Sequence, residues 1–337
     1  MMKKKTSVLA LFLVLLIAVT GCGGGAGNAG TTEAASTSEG SNSSGKSGDG
    51  KIVIGFSQTV MNHPFRIANV DTAKKAAADL GVEIIVTDGQ GDANKEIANI
   101  ESLIARNVDA LIVSSLSGNA IYPAYKEAER AGIPLIIAAS GVPDDDSIPY
   151  TTFVASDEVM MGQQAAKYIA DKMGQKGNLV ILNGVVESTN SQLRTQGFMP
   201  EIQKYPDIKI VAEQSGEWLR LPAMQVMTNI LQANSKIDFV FAQNDEMALG
   251  AIEAIKKANR MSEIKVVSMD SQKEALEKIK NTDELLMSVK NEWSFETAVK
   301  LAIDAANGKE IQKRVILDSP VIDKSNVDDF YDPNSTF

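Results

Sequence analysis

One cysteine, Cys22, and one histidine, His63, are all that 337 residues contain of those two types. A lone cysteine cannot close an internal disulfide, so any fold must be held by packing. A lone histidine argues against a histidine-rich metal site and leaves no Ser-His or Cys-His nucleophilic pair unless His63 itself serves. No basic run follows Lys5, and the formal charge is −10. Nucleic acid is therefore not an expected partner, because phosphate backbones demand a basic footprint. Catalytic signatures are missing too. The turn after the first apolar run, Gly55-Phe-Ser-Gln-Thr-Val60, is not Gly-x-Gly-x-x-Gly, and neither a Gly-x-Ser-x-Gly elbow nor a Walker A run occurs. Neither enzyme activity nor a cofactor is expected.

What is present starts with Lys3, Lys4 and Lys5, an apolar stretch from Val8 to Val19, and Val19-Thr20-Gly21-Cys22. The stretch is too short for a permanent membrane span and is followed by small residues, the pattern of a cleaved signal over residues 1–21. Val19 to Cys22 resembles the lipobox of bacterial lipoproteins, which implies that Cys22 becomes the amino terminus and carries a lipid anchor to the outer face of the cell membrane. Residues 23–50 are Gly, Ser, Thr, Ala, two Asn and a few charged residues, without an aromatic or an aliphatic β-branched side chain. Such a segment cannot build a core and is expected to act as a disordered tether over 22–50. Losing the three lysines with the signal leaves a mature charge of −13.

From Lys51 onward, short Ile/Val/Leu runs alternate with stretches of helical length. Apolar strands separated by helices indicate parallel sheets covered on both faces. Gly81, and Gly132 with Pro134, punctuate the first and third helices as C-terminal stops. The series divides near Ser156, which predicts an α/β chain of two doubly wound parallel-sheet lobes. Ligands of such sheets bind beyond the carboxyl ends of the strands. Those ends offer Ser57, Gln58, Thr59, Asp88, Ser114, Ser115, Ala139 and Ser140, then Asn183, Gln214, Asn244, Asp245 and Asp270. Asp88 and Asp245 read as turn or cap residues.

Gly55-Phe-Ser-Gln58, Asn62-His-Pro-Phe-Arg66, Thr87-Asp-Gly-Gln90, Ala155-Ser-Asp157, the run from Phe241 to Gly250, and Ser268-Met-Asp270 together resemble the ribose and galactofuranose branch of bacterial solute-binding proteins. The likeness runs from Lys51 to about Phe330. It implies the type I periplasmic binding protein fold, with a three-segment hinge: residues 51–155 plus about 290–312 as lobe 1, and 156–289 plus about 313–337 as lobe 2. It further implies a monomer that captures a sugar between its lobes and delivers it to the permease of an ABC importer. The alternative is a sensor presenting its closed form to a membrane kinase or chemoreceptor.

By the same resemblance, Asn62, His63, Phe65 and Arg66 belong to the rim of lobe 1, Trp218 is the stacking aromatic, and Gln192 and Arg194 lie in the stretch that supplies an arginine. Asn244 and Asp270 match polar residues at strand ends, and Lys290 stands where Gln or Glu is usual. One departure is the Asp-Arg pair of the family, replaced by Ala139-Ser140, which speaks against ribose. Phe65 and Trp218 suit the apolar faces of a sugar ring, and Asp270, Asn244 and a guanidinium suit its hydroxyls. If Lys290 points inward, the cleft carries excess positive charge, which would favour a sugar acid. Trp293 and the methionines read as packing residues.

Overall fold

The computed structural model describes residues 50–139, 147–335 and 337, so the signal, Cys22, the tether through residue 49 and Ser140 lie outside the described residues. Strand β1 (Val53–Gln58), buried from Ile54 onward, leads to α1 (Pro64–Asp79), and the alternation continues through β2 (Glu83–Asp88), α2 (Ala93–Ala105), β3 (Ala110–Ser114), α3 (Tyr122–Arg130), β4 (Leu135–Ala138) and β5 (Thr152–Ser156). Gly81 and Gly132 follow α1 and α3 at φ of +72° and +68°, the left-handed turn that ends a helix and that glycine adopts without strain.

The chain then leaves this sheet for a second series: α4 (Glu158–Lys172), β6 (Lys176–Asn183), α5 (Thr189–Ile202), β7 (Asp207–Ser215), α6 (Arg220–Ala233), β8 (Phe239–Ala242), α7 (Asp245–Lys257), β9 (Lys265–Asp270), α8 (Lys273–Asn281) and β10 (Met287–Lys290). It returns to the first lobe as α9 (Phe295–Ala306) and β11 (Arg314–Leu317), and crosses again to β12 (Val321–Asp323). The strand orders are β11-β5-β4-β3-β1-β2, parallel throughout, and β12-β10-β9-β8-β6-β7, parallel except for the antiparallel edge strand β12.

Three segments thus join the lobes, at 156–157, 291–294 and 318–320. The last differs from expectation: residues 314–317 pair in register with Phe153 to Ser156 of β5, so lobe 1 extends to residue 317 rather than ending near 312. Its short run, Arg-Val-Ile-Leu, gave no sign in sequence of which sheet it would join. The Ser156 hydroxyl accepts the Glu292 N–H at 3.0 Å and ties two crossings together.

Each sheet is sandwiched between two apolar layers. In lobe 1, α1 and α9 bury Val70, Ala73, Phe295 and Val299 on one face, while α2 and α3 bury Ile100, Leu103, Ala124 and Ala128 on the other. In lobe 2, α6, α7 and α8 cover one face with Met227, Ile255 and Leu276, and α4 and α5 cover the other. Phe198 of α5 stacks on Phe241 of β8 at 4.3 Å. Truncating a buried ring of this kind to Ala costs about 3–5 kcal/mol. Helices α4 and α5 approach closely because glycines face the partner backbone: a Cβ on Gly162 would lie 2.2 Å from the Arg194 carbonyl oxygen, and one on Gly197 would lie 1.9 Å from that of Val159. That contact brings Glu158 to Arg194.

Candidate ligand-binding site

The carboxyl ends of both sheets open on one cavity of about 380 Å³, lined by residues that follow β1, β2 and β3 on one side and β6 through β10 on the other. That size lies in the range of small-molecule pockets. Of the residues expected at the site, the cavity brings together Asn62, His63, Phe65, Arg66, Arg194, Trp218, Asn244 and Asp270.

On lobe 1, α1 begins at the cleft. His63 caps it, its Nδ1 accepting the Phe65 N–H at 3.1 Å, and Pro64 at the first helical position needs no N–H partner. The cap places Arg66 in the first turn, where its Nη1 donates to Ser114 Oγ at 2.6 Å and its guanidinium lies 5.7 Å from the Phe65 ring. Among the described residues no carboxylate is ion-paired with Arg66. Burial pulls its pKa down to about 10, against the fields of Asp270, Glu96 and Glu158. Phe65 stacks on Trp293 at 5.8 Å, so Trp293 packs behind the wall. Thr59 and Ser117 complete this side, and each donates its hydroxyl proton to Oε1 of the fully buried Glu96 at 2.6 Å.

On lobe 2, Arg194 is the organising group. Its Nε donates to Glu158 Oε2 at 2.6 Å, Nη2 to Asp270 Oδ1 at 2.9 Å, and Nη1 to the Gln243 carbonyl. Burial lowers its pKa, but Glu158 and Asp270 outweigh burial and raise it, so the guanidinium is charged at any working pH. Asn190 Nδ2 donates to the other oxygen of Glu158 at 2.6 Å, and Asn291 Nδ2 to Asp270 Oδ1 at 3.3 Å. Asp270 sits at φ +102°, a conformation non-glycine residues seldom adopt and one that marks functional sites. Asn244 caps α7 by accepting the Met247 N–H at 2.9 Å, which directs its amide toward the Trp218 carbonyl at 3.1 Å. The Trp218 ring lies on Gly184, where a Cβ would come within 2.1 Å of it, and its Nε1 has no hydrogen-bond partner among the described residues.

Two expected residues stand elsewhere. Lys290 pairs with Glu292 at 2.6 Å and lies 5.7 Å from the Phe330 ring, so it does not line the cavity. The anticipated excess of positive charge is corrected accordingly. Around the cavity Arg66 and Arg194 face the buried carboxylates Asp270, Glu158 and Glu96. Gln192 bonds to the Val186 carbonyl at 3.3 Å on the exposed side of α5, two residues out of phase with Asn190 and Arg194. Ser140 lies outside the described residues. Asp88 is a turn residue, accepting the Gln90 N–H at 2.9 Å, and Asp245 opens α7 behind the wall.

Sequence reasoning overlooked Asn190, Asn291 and Glu96. Asn190 was legible, since it stands four residues before Arg194 on one helical face. Asn291 and Glu96 carry no such mark. Among the described residues no group of three or more His, Cys, Asp or Glu is arranged to hold a metal ion, and no helix is long and apolar enough to cross a membrane.

The chain matches the family described as "Periplasmic binding protein domain" over residues 54–310. It is 33% identical over 271 residues to the ribose import binding protein RbsB of Bacillus subtilis, covering 80% of this chain and 87% of that one. It is 31% identical over 211 residues to the galactofuranose-binding protein YtfQ of Escherichia coli, covering 61% and 66%. Among solved structures, an ABC transporter solute-binding protein from Bacillus halodurans with bound myo-inositol superposes with a TM-score of 0.79 at 29% identity, covering 86% of this chain and 99% of that one. These relatives are binding proteins of transport systems rather than enzymes. With two parallel-sheet lobes facing a shared cavity, the chain belongs to the periplasmic binding protein family, in its type I, sugar-binding branch.

Proposed function

We propose that this protein is a lipid-anchored extracytoplasmic receptor that captures a neutral sugar or polyol between its lobes and delivers it to an ABC importer. The observation that carries this reading is the pair of facing walls: Arg66 with Ser114 from lobe 1, and Asp270 of lobe 2 held by Arg194 and by Asn291 of the second crossing, around one cavity also lined by Phe65 and Trp218. Only a closed form lets one small molecule touch both walls, so binding energy favours closure. Neutrality follows from charge. The two guanidiniums face three buried carboxylates, so a further carboxylate from the ligand would add to an existing negative excess. The relatives support the class, since their names and bound molecules are ribose, galactofuranose and myo-inositol. Anchoring through Cys22 and delivery to a permease rest on the lipobox-like segment and on family membership.

A thermal-shift screen against pentoses, hexoses, polyols and sugar acids tests the reading. A ligand at a hundred times its Kd stabilises by about 2.7 kcal/mol, which is roughly 4–5 °C for a body of this size. Asp270→Ala should abolish the shift of the best compound. A flat response across the panel, or a sugar acid preferred over its neutral parent, would overturn the assignment. Metabolic labelling with a radioactive fatty acid, lost in Cys22→Ser, tests the anchor.

A further inference from the structure

We propose that Asp245 is a positioning residue for the cleft carboxylate Asp270, acting through the turn that follows Asp270 rather than through the cavity. Asp270 and Ser271 stand consecutively at φ of +102° and +58°, the left-handed region that side chains other than hydrogen disfavour. Such a turn relaxes unless its surroundings hold it. Here the holding contacts converge on one carboxyl group. Asp245, the first residue of α7 and fully buried, accepts the Gln272 N–H on Oδ2 at 2.6 Å, and its Oδ1 accepts the Ser288 hydroxyl at 2.8 Å together with that of Ser268. Ser288 Oγ in turn accepts the Ser271 N–H at 2.9 Å. The strand before Asp270 and both backbone N–H groups after it are thus tied to one side chain that does not line the cavity.

The clamp closes in either protonation state of the acid. Burial and Asp270 push the Asp245 pKa up to about 8 against the pull of its three hydrogen bonds, and a serine hydroxyl can accept as well as donate. An amide would serve in the same place, its oxygen taking the Gln272 N–H and its NH₂ facing the two hydroxyls. An apolar side chain would not, because the Gln272 N–H would be left buried without an acceptor. The far end of the turn is anchored separately: the Gln272 side chain donates to Glu246 Oε1 at 2.9 Å, and Glu246 is gripped by Arg220. Slack introduced at Asp245 therefore falls on residues 270 and 271. It carries the Asp270 carboxylate off the place where Arg194 at 2.9 Å and Asn291 at 3.3 Å hold it at the cavity.

The effect on the turn is read without ligand, and only the effect on affinity rests on the sugar-capture reading. In ¹⁵N-labelled full-length Cys22→Ser protein, Asp245→Ala should speed hydrogen exchange of the Ser271 and Gln272 amides at least about tenfold more than that of core strand amides such as Val240. Its crystal structure should show Asp270 out of reach of Arg194. With the best compound of the thermal screen, Asp245→Ala should weaken binding at least about tenfold and Asp245→Asn by no more than about threefold. Ser271→Gly separates positioning from mere stabilisation, because glycine adopts φ of +58° without strain. Added to Asp245→Ala, it should recover at least about threefold in affinity. Should Asp245→Ala not fold, Ser288→Ala cuts only the link to the Ser271 N–H, and should give the same local exchange and the same rescue by Ser271→Gly. Parental affinity in these variants, a loss that Ser271→Gly leaves unchanged, or exchange that quickens uniformly through lobe 2 would overturn the proposal. A screen without hits would count against sugar capture alone, because local exchange and the place of Asp270 in the variant crystal decide the positioning by themselves.

Discussion

Arg194→Met removes the charge around which the wall of lobe 2 is built while keeping much of the side-chain volume. The guanidinium is 3% exposed and answers two carboxylates, Glu158 at 2.6 Å and Asp270 at 2.9 Å, besides the Gln243 carbonyl. Its loss strands both acids in a water-poor site with only Asn190 and Asn291 still donating to them. Removing one partner of a buried pair costs about 3–5 kcal/mol, and two stranded carboxylates place this variant at the upper end. Removing Glu158 as well, in Arg194→Met/Glu158→Met, should restore about 2 kcal/mol, because one uncompensated charge leaves with it. The pH dependence has a definite sign. The deficit comes from two stranded negative charges, so it is greatest at neutral pH and shrinks as acid removes those charges. Urea unfolding of the parent, the single and the double variant at pH 7.5 and 5.0 measures all three quantities, provided the m-values agree. A deficit below about 1 kcal/mol at pH 7.5, or one that does not shrink in acid, would refute the idea that Arg194 is held by charge.

Gly184→Val should displace the Trp218 ring, which a Cβ would approach to 2.1 Å, and weaken sugar binding at least about tenfold with little change in the far-ultraviolet spectrum; calorimetric titration checks it. Lys290→Met should leave ligand affinity and its salt dependence unchanged, because the ammonium is occupied by Glu292 away from the cavity. The stability lost with that partly exposed pair should be no more than about 1 kcal/mol.

The fold was legible because its signal is a repeated one: apolar strands long enough to be covered on both faces, separated by helices that end at Gly81 and Gly132. Irregular stretches were not. Residues 314–317 carry no feature that distinguishes pairing with β5 from pairing in lobe 2, and only the three-dimensional register decides. Site residues followed the same division. Those in ordered motifs at strand ends, such as Asn62 to Arg66, Asn244 and Asp270, came together at the cavity. Lys290 did not, since a long flexible side chain goes to whichever carboxylate is near, here Glu292. Gln192 failed on phase: two residues along a helix from Arg194 turns a side chain to the opposite face. Glu96 escaped notice because a buried carboxylate in the first turn of a helix looks, in sequence, like any solvated one at that end.

That carboxylate determines how lobe 1 addresses its guest. Thr59 and Ser117 have each committed their single hydroxyl hydrogen to Glu96, whose second oxygen has no hydrogen-bond partner among the described residues. Toward the cavity they can offer only lone pairs. Whatever meets this corner must therefore supply the hydrogen itself, and an ether oxygen or a methylated hydroxyl there would set lone pair against lone pair.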